Sequence, residues 1–231
     1  MMKSFFSAGL ILAASSTLSY AEELKLETDT QKVSYLIGRN IGSSLQADGL
    51  ELDLDLVFSG IKEATAGDEA QITNEDAQVI MSKFQQEMQA KAVAKQAEAA
   101  SGNKEEGKKF LATNKEREEV TETESGLQYE VLTAAEGDKP AATDTVKVHY
   151  HGTLLDGTVF DSSVDRGEPI DFPLNRVIPG WTEGVQLMSI GSKFKFYIPS
   201  DLAYGDQGSP PKIGPGATLV FEVELLEVTK N

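Results

Sequence analysis

With 231 residues, 40% of them hydrophobic, the chain can bury one large core or two small ones, which excludes disorder throughout. It has no Cys, so disulfides and a Cys-linked lipid anchor play no part. Its formal net charge of −16 makes nucleic acid a poor partner and argues against anionic lipid surfaces.

In chain order, the first segment has the form of an export signal. Met1-Met2-Lys3 is a short basic start, residues 5–18 are apolar or small, and Ser19-Tyr20-Ala21 fits a small-x-small cleavage site. A membrane anchor is the competing reading, but the apolar run is too short and too rich in Ser and Thr to cross roughly 30 Å of hydrocarbon comfortably. Residues 1–21 are therefore read as a signal peptide and Glu22 as the first mature residue.

Helical patterns follow up to about residue 119. Over 30–45, Val33, Leu36, Ile37, Ile41 and Leu45 recur at spacings of three and four, a stripe on one helix face that needs a partner. Gly38 and Gly42, four apart, allow close approach of another backbone, either within the chain or across a dimer seam. Asp53 is the expected N-cap of a second helix carrying Leu56, Val57, Phe58 and Ile61 and ending near Gly67. Thr73-Asn74-Glu75-Asp76 has the form of a capping box at the start of a long helix. Val79, Ile80, Phe84 and Met88 give that helix an apolar face at first. Residues 89–100 are Ala, Lys, Gln and Glu with little to bury, a solvated strut that Ser101-Gly102 and Gly107 are expected to weaken or kink. A strut so polar has too little to bury alone, so self-association of the preceding helices is the economical expectation.

From Ser125 the period changes to two. Leu127, Tyr129 and Val131 alternate, as do Val146, Val148 and Tyr150, and Leu219, Phe221, Val223 and Leu225 oppose Glu222 and Glu224. Phe194, Phe196 and Ile198 are likewise set against Lys193, Lys195 and Tyr197. These are half-buried antiparallel strands, separated by turns at Gly137-Asp138, Asp156-Gly157 and the Gly/Pro-rich 205–216. Pro179 opens a short helix reaching Met188.

Between the turns lies an unusual aromatic set, Tyr150, Phe160, Phe172, Trp181 and Phe221, which only a converging fold would place around one apolar pocket. Val148-His149-Tyr150, Asp156-Gly157-Thr158-Val159-Phe160-Asp161-Ser162, Val177-Ile178-Pro179-Gly180-Trp181, Ala203-Tyr204-Gly205 and Ala217-Thr218-Leu219-Val220-Phe221 together resemble the FKBP family of macrolide-binding peptidyl-prolyl isomerases. The resemblance implies an α+β fold, an antiparallel sheet curled around one short helix. The helical region before it, with Asn114-Lys115 and Ser125-Gly126-Leu127-Gln128-Tyr129, resembles the Mip subgroup, whose amino-terminal part dimerises and whose long helix carries the isomerase module. The expected organisation is a signal at 1–21, helical dimerisation region at 22–72, connecting helix at 73–119 and isomerase domain at 120–231.

The same resemblance implies site residues. Tyr150, Asp161, Tyr204 and Phe221 are expected to be catalytic, and Phe160, Arg166, Phe172, Val177, Ile178, Trp181 and Ile213 to bind substrate, with Trp181 as the floor and the Ile178 amide and Tyr204 holding the peptide. Bland readings stand beside these: Trp181, Phe172 and Phe221 taken singly are core aromatics, and Asp161 with Arg166 a surface ion pair. Ile170, Ser209 and Lys212 depart from the commonest family pattern, which opens substrate preference along 209–213. His149 and His151 share a strand face opposite Val148 and Tyr150 and lack a third ligand, so no metal is expected; no cofactor is implied either.

Two functions follow as expectations. One is an exported, dimeric isomerase acting on proline-containing unfolded or exported proteins in the periplasm, free or held at the outer membrane, and open to macrolide inhibitors of the FK506/rapamycin type. The other is a holdase chaperone whose dimer cleft grips unfolded chains, isomerisation being secondary.

Overall fold

The computed structural model describes residues 24–231. The expected signal peptide lies outside the described residues. The described residues fall into two compact units, the first ending at Thr73 and the second spanning Asn74–Asn231.

In the first unit, helix α1 (Asp29–Ala47) begins at a reciprocal capping box. The Thr28 hydroxyl accepts from the Gln31 backbone amide at 3.2 Å while the Gln31 side-chain Oε1 accepts from the Thr28 backbone amide at 2.9 Å. Helix α2 (Leu54–Ala66) is capped by Asp53, whose carboxylate accepts from the amides of Asp55 and Leu56, and it stops at Gly67 with φ 80°. Both helices match the apolar spacing in the sequence, yet neither has a buried residue. Leu36 is 58% exposed and Leu56 69%.

The second unit opens with α3 (Asn74–Asn114), 41 residues long and therefore about 60 Å end to end. It runs unbroken through Ser101-Gly102 and Gly107, where a weak point was expected, and it ends before the charged run 115–119. Its buried residues are Ala100, Gly107 and Asn114. They recur every seven residues and so lie along one stripe.

The sheet is antiparallel throughout, with strands β1 (Val120–Glu122), β2 (Gln128–Thr133), β3 (Thr145–Leu154), β4 (Val159–Ser162), β5 (Ile170–Pro173), β6 (Lys193–Ile198) and β7 (Leu219–Thr229). Its order is β1-β2-β6-β7-β3-β4, and β5 also pairs with β3. Period two holds: Val146, Val148 and Tyr150 of β3 are buried, as are Leu219, Phe221, Val223 and Leu225 of β7. The short helix α5 (Pro179–Val185) packs on this inner face, with Trp181 and Val185 buried in the core. Gly184 lets it approach closely, since a Cβ there would stand 2.7 Å from the Phe196 ring.

The outer face is covered as well. Tyr197, which alternation points away from the inner core, is only 4% exposed, because its ring packs 5.8 Å from Phe110 of α3. At the helix end, Asn114 Nδ2 donates to Gln128 Oε1 at 2.9 Å, and Gln128 Nε2 donates to the Leu111 carbonyl at 2.9 Å. That pairing gives Asn114 and Gln128 a physical role: they satisfy the helix terminus where it meets β2.

Candidate active site

Strands β3, β4, β5 and β7, helix α5 and two loops converge on a cavity of about 670 Å³. Each element contributes through its own periodicity. Tyr150 is the inward residue after Val148 on β3, and Phe221 is the inward residue after Leu219 on β7. The next inward position on β3 is Gly152, where a Cβ would lie 2.7 Å from the Phe160 ring and 2.8 Å from that of Phe221. Its missing side chain is what admits both rings.

Trp181, from the first turn of α5, forms the floor. Its ring meets those of Tyr150, Phe172 and Phe221 edge-on at 5.4, 5.6 and 5.2 Å, an arrangement aromatic quadrupoles favour. Trp181 Nε1 is buried without a hydrogen-bond partner among the described residues. Val177 and Ile178 lie at the mouth, partly buried. The Ile178 carbonyl accepts from the amides of Trp181 and Thr182 at 2.9 and 3.1 Å, whereas its own amide makes no hydrogen bond among the described residues.

A polar brace stands at the rim. Tyr150 donates its hydroxyl to Asp161 Oδ2, Arg166 NH1 donates to Asp161 Oδ1, and Arg166 NH2 donates to the Tyr150 oxygen at 2.9 Å. The guanidinium carbon also sits 5.6 Å from the centroid of the Tyr150 ring. Helix α4 (Ser163–Arg166) brings Arg166 back to Asp161. Ser162 caps it by accepting from the Asp165 amide at 3.0 Å, and Gly167, at φ 79°, ends it. Ser163 stitches it to β3, accepting from the Tyr150 amide at 2.7 Å and donating to the Tyr150 carbonyl at 3.2 Å.

These contacts set the ionisation of the rim. Burial pushes the Asp161 carboxyl up, but the hydrogen bonds from Tyr150 and Arg166 outweigh it and hold the group below its ordinary value. Burial, assisted by the hydrogen bond to Asp161, raises the Tyr150 phenol. Burial, with the charge of Asp161, raises Tyr204. At neutral pH the site therefore presents two neutral phenols and one braced carboxylate.

Ten of the expected site residues line the cavity: Tyr150, Phe160, Asp161, Phe172, Val177, Ile178, Trp181, Tyr204, Ile213 and Phe221. Arg166 does not line it and acts through the brace. Ser209, Pro210, Pro211 and Lys212 form another part of the wall, and so does Arg176, which the sequence reading did not single out. Ile170 packs against the core and is not part of the lining. His149 and His151 pair with the hydroxyls of Ser163 and Ser162 at 3.1 and 2.9 Å, away from the lining. Among the described residues no group of three or more His, Cys, Asp or Glu could hold a metal ion.

The loop that carries Tyr204 is propped by α3. Lys104 Nζ reaches Asp206 at 2.6 Å and Asp201 at 3.4 Å, Asn103 Nδ2 donates to the Pro215 carbonyl at 2.8 Å, and Gln96 Nε2 donates to the Asp206 carbonyl at 3.1 Å. The packing is close. A Cβ on Gly216 would stand 2.4 Å from the Ala100 carbonyl oxygen.

Comparison with known proteins agrees over nearly the whole chain. Residues 136–226 match the family model of the FKBP-type peptidyl-prolyl cis-trans isomerase, and residues 30–131 match that of the domain amino-terminal to it. The chain is 49% identical over 201 residues to the probable FKBP-type peptidyl-prolyl cis-trans isomerase FkpA of Neisseria meningitidis, spanning 86% of this chain and 74% of that one. It is 39% identical to the outer membrane protein MIP of Legionella longbeachae, over 99% and 98% of the two chains. The crystal structure of FkpA from Escherichia coli superposes with a TM-score of 0.74 at 38% identity, covering 89% of this chain and 99% of that one.

Proposed function

Because the chain belongs to the FKBP-type peptidyl-prolyl cis-trans isomerases, we propose that the aromatic cavity floored by Trp181 is where its prolyl substrate turns. The barrier is the roughly 18–20 kcal/mol of amide resonance. No bond to an attacking group is needed. A proline ring seated over Trp181, between Tyr150, Phe172 and Phe221, leaves water behind, and water stabilises the charge-separated planar amide more than the twisted one. The Ile178 amide, which makes no hydrogen bond among the described residues, and the Tyr204 hydroxyl hold the substrate's carbonyls. Phe160, Val177 and Ile213 wall the ring, and Asp161 with Arg166 fixes the Tyr150 ring from the rim.

The observation that carries this reading is the convergence of Tyr150, Phe160, Phe172, Trp181 and Phe221 around one cavity whose rim carboxylate, Asp161, is already held by Tyr150 and Arg166. The test is acceleration of cis-to-trans conversion in an Ala-Leu-Pro-Phe peptide. Wild type is expected to accelerate it and the Tyr204→Ala, Asp161→Ala double variant to lose at least tenfold in kcat/KM, about 1.4 kcal/mol of transition-state stabilisation. Undiminished activity in that variant would remove these residues from the mechanism. Macrolides of the FK506/rapamycin type are expected to compete for the same cavity.

The working form we propose is an exported homodimer joined through α1 and α2, acting on proline-containing chains in the periplasm, where the uncatalysed step takes roughly 10–100 s. The exposed apolar residues of both helices support the dimer, and the basic start with Ser19-Tyr20-Ala21 supports export. The same apolar surface favours a second reading, a holdase that binds unfolded chains. In that case a pocket variant suppresses aggregation of a proline-independent client as well as wild type does, and deletion of 22–73, which removes α1 and α2 and keeps α3, abolishes the effect.

A further inference from the structure

The mouth of the cavity carries two cations that no carboxylate among the described residues pairs with. Of the eight Lys and Arg within residues 120–231, five pair with carboxylates: Lys147, Arg166, Lys193, Lys195 and Lys230. Three make no ion pair among the described residues, and two of those, Arg176 and Lys212, line the cavity. Partners are not scarce in a chain with 37 acidic and 21 basic residues. The cavity's own carboxylate, Asp161, is taken by Tyr150 and Arg166.

The two cations are placed to meet a bound chain. Lys212 is exposed, and its ammonium donates to the Phe160 carbonyl at 2.8 Å, which fixes its position and leaves two further N–H groups for another acceptor. Arg176 ends the 3-10 turn Leu174–Arg176, immediately before Val177 and Ile178, and its guanidinium has no hydrogen-bonded partner among the described residues. A concave site with low-dielectric walls and uncompensated positive charge attracts anionic groups, and it does so over a range short enough that the acidic remainder of the molecule is screened.

Resting on the isomerase reading of this cavity, we infer that Arg176 and Lys212 are specificity-determining residues, and that the enzyme favours prolyl bonds flanked by an acidic residue. The preference is read from two peptide pairs, Glu-Leu-Pro-Phe against Gln-Leu-Pro-Phe and Leu-Pro-Phe-Glu against Leu-Pro-Phe-Gln, with blocked ends. In at least one pair the Glu peptide is expected to have the higher kcat/KM at low salt, by about three- to tenfold, the range two partly exposed charge pairs supply. The ratio approaches one at about 0.5 M salt and in the Arg176→Gln, Lys212→Gln double variant. Because Lys212→Gln also releases the bond to Phe160, Arg176→Gln alone, which breaks no hydrogen bond or ion pair among the described residues, serves as the second variant and lowers the ratio part of the way. Equal turnover of both members of both pairs by the wild type, or a Glu preference unchanged in the variants, overturns the inference and leaves the isomerase reading standing. Failure of the wild type to accelerate any of the four peptides refutes that reading and this inference with it.

Discussion

Tyr150 shows how much one residue is asked to do: its backbone is stitched to Ser163, its ring abuts Trp181 and its hydroxyl joins Asp161 to Arg166. The shifts of its neighbourhood define a pH window. Asp161 is held below the ordinary carboxylate value of about 3.9, so its contribution is complete above that value and disappears as pH falls through the lowered one. Tyr150 and Tyr204 are raised above about 10, so theirs is complete below that value and disappears only as pH rises through the raised ones. The expected result is a kcat/KM flat from about pH 5 to about pH 9. Trp181 is the chain's single Trp, so its emission supplies an independent readout from the cavity floor over the same range. A bell-shaped profile centred near neutrality would reveal a titrating acid or base and contradict a mechanism without one.

Among the elements, α3 separates what the sequence reveals from what it conceals. Strands β3 and β7 and the five FKBP motifs were legible because apolar residues at period two, or fixed turn chemistry, announce them. The buried stripe of α3 was not, because it consists of Ala100, Gly107 and Asn114: close approach and hydrogen bonding, not apolar bulk, make that contact. Tyr197 was assigned to the polar side of β6 for the same reason, since nothing local discloses that Phe110 covers it. Arg176 carries no periodic signal at all and became visible only once the cavity had walls. Two glycines five residues apart on this helix make the contrast measurable. A Cβ at Gly107 would stand 2.1 Å from Thr218 Oγ1, whereas one at Gly102 has nothing within 4 Å. Gly107→Ala is expected to destabilise by about 1–3 kcal/mol through overpacking, despite Ala's better helix propensity. Gly102→Ala should stabilise by about 0.5–1 kcal/mol. Urea midpoints of the two variants against wild type check both signs.

At the scale of the whole molecule, the apolar faces of α1 and α2 are the feature that a single copy leaves unexplained. If a second copy covers them, Leu36→Asp converts the protein to a monomer in sedimentation at micromolar concentration while turnover of a short peptide, per chain, stays at the wild-type rate. A wild-type protein that sediments as a monomer would dismiss the dimer. The contacts of α3 with the 201–218 segment have another consequence, for anyone who wishes to work with the catalytic part by itself. The natural place to cut, just ahead of β1, would strip Gln96, Asn103 and Lys104 from the loop bearing Tyr204 and lay bare the aromatic face of Tyr197. A usable fragment has to start inside the helix, upstream of Gln96, and limited proteolysis should find its resistant core beginning there.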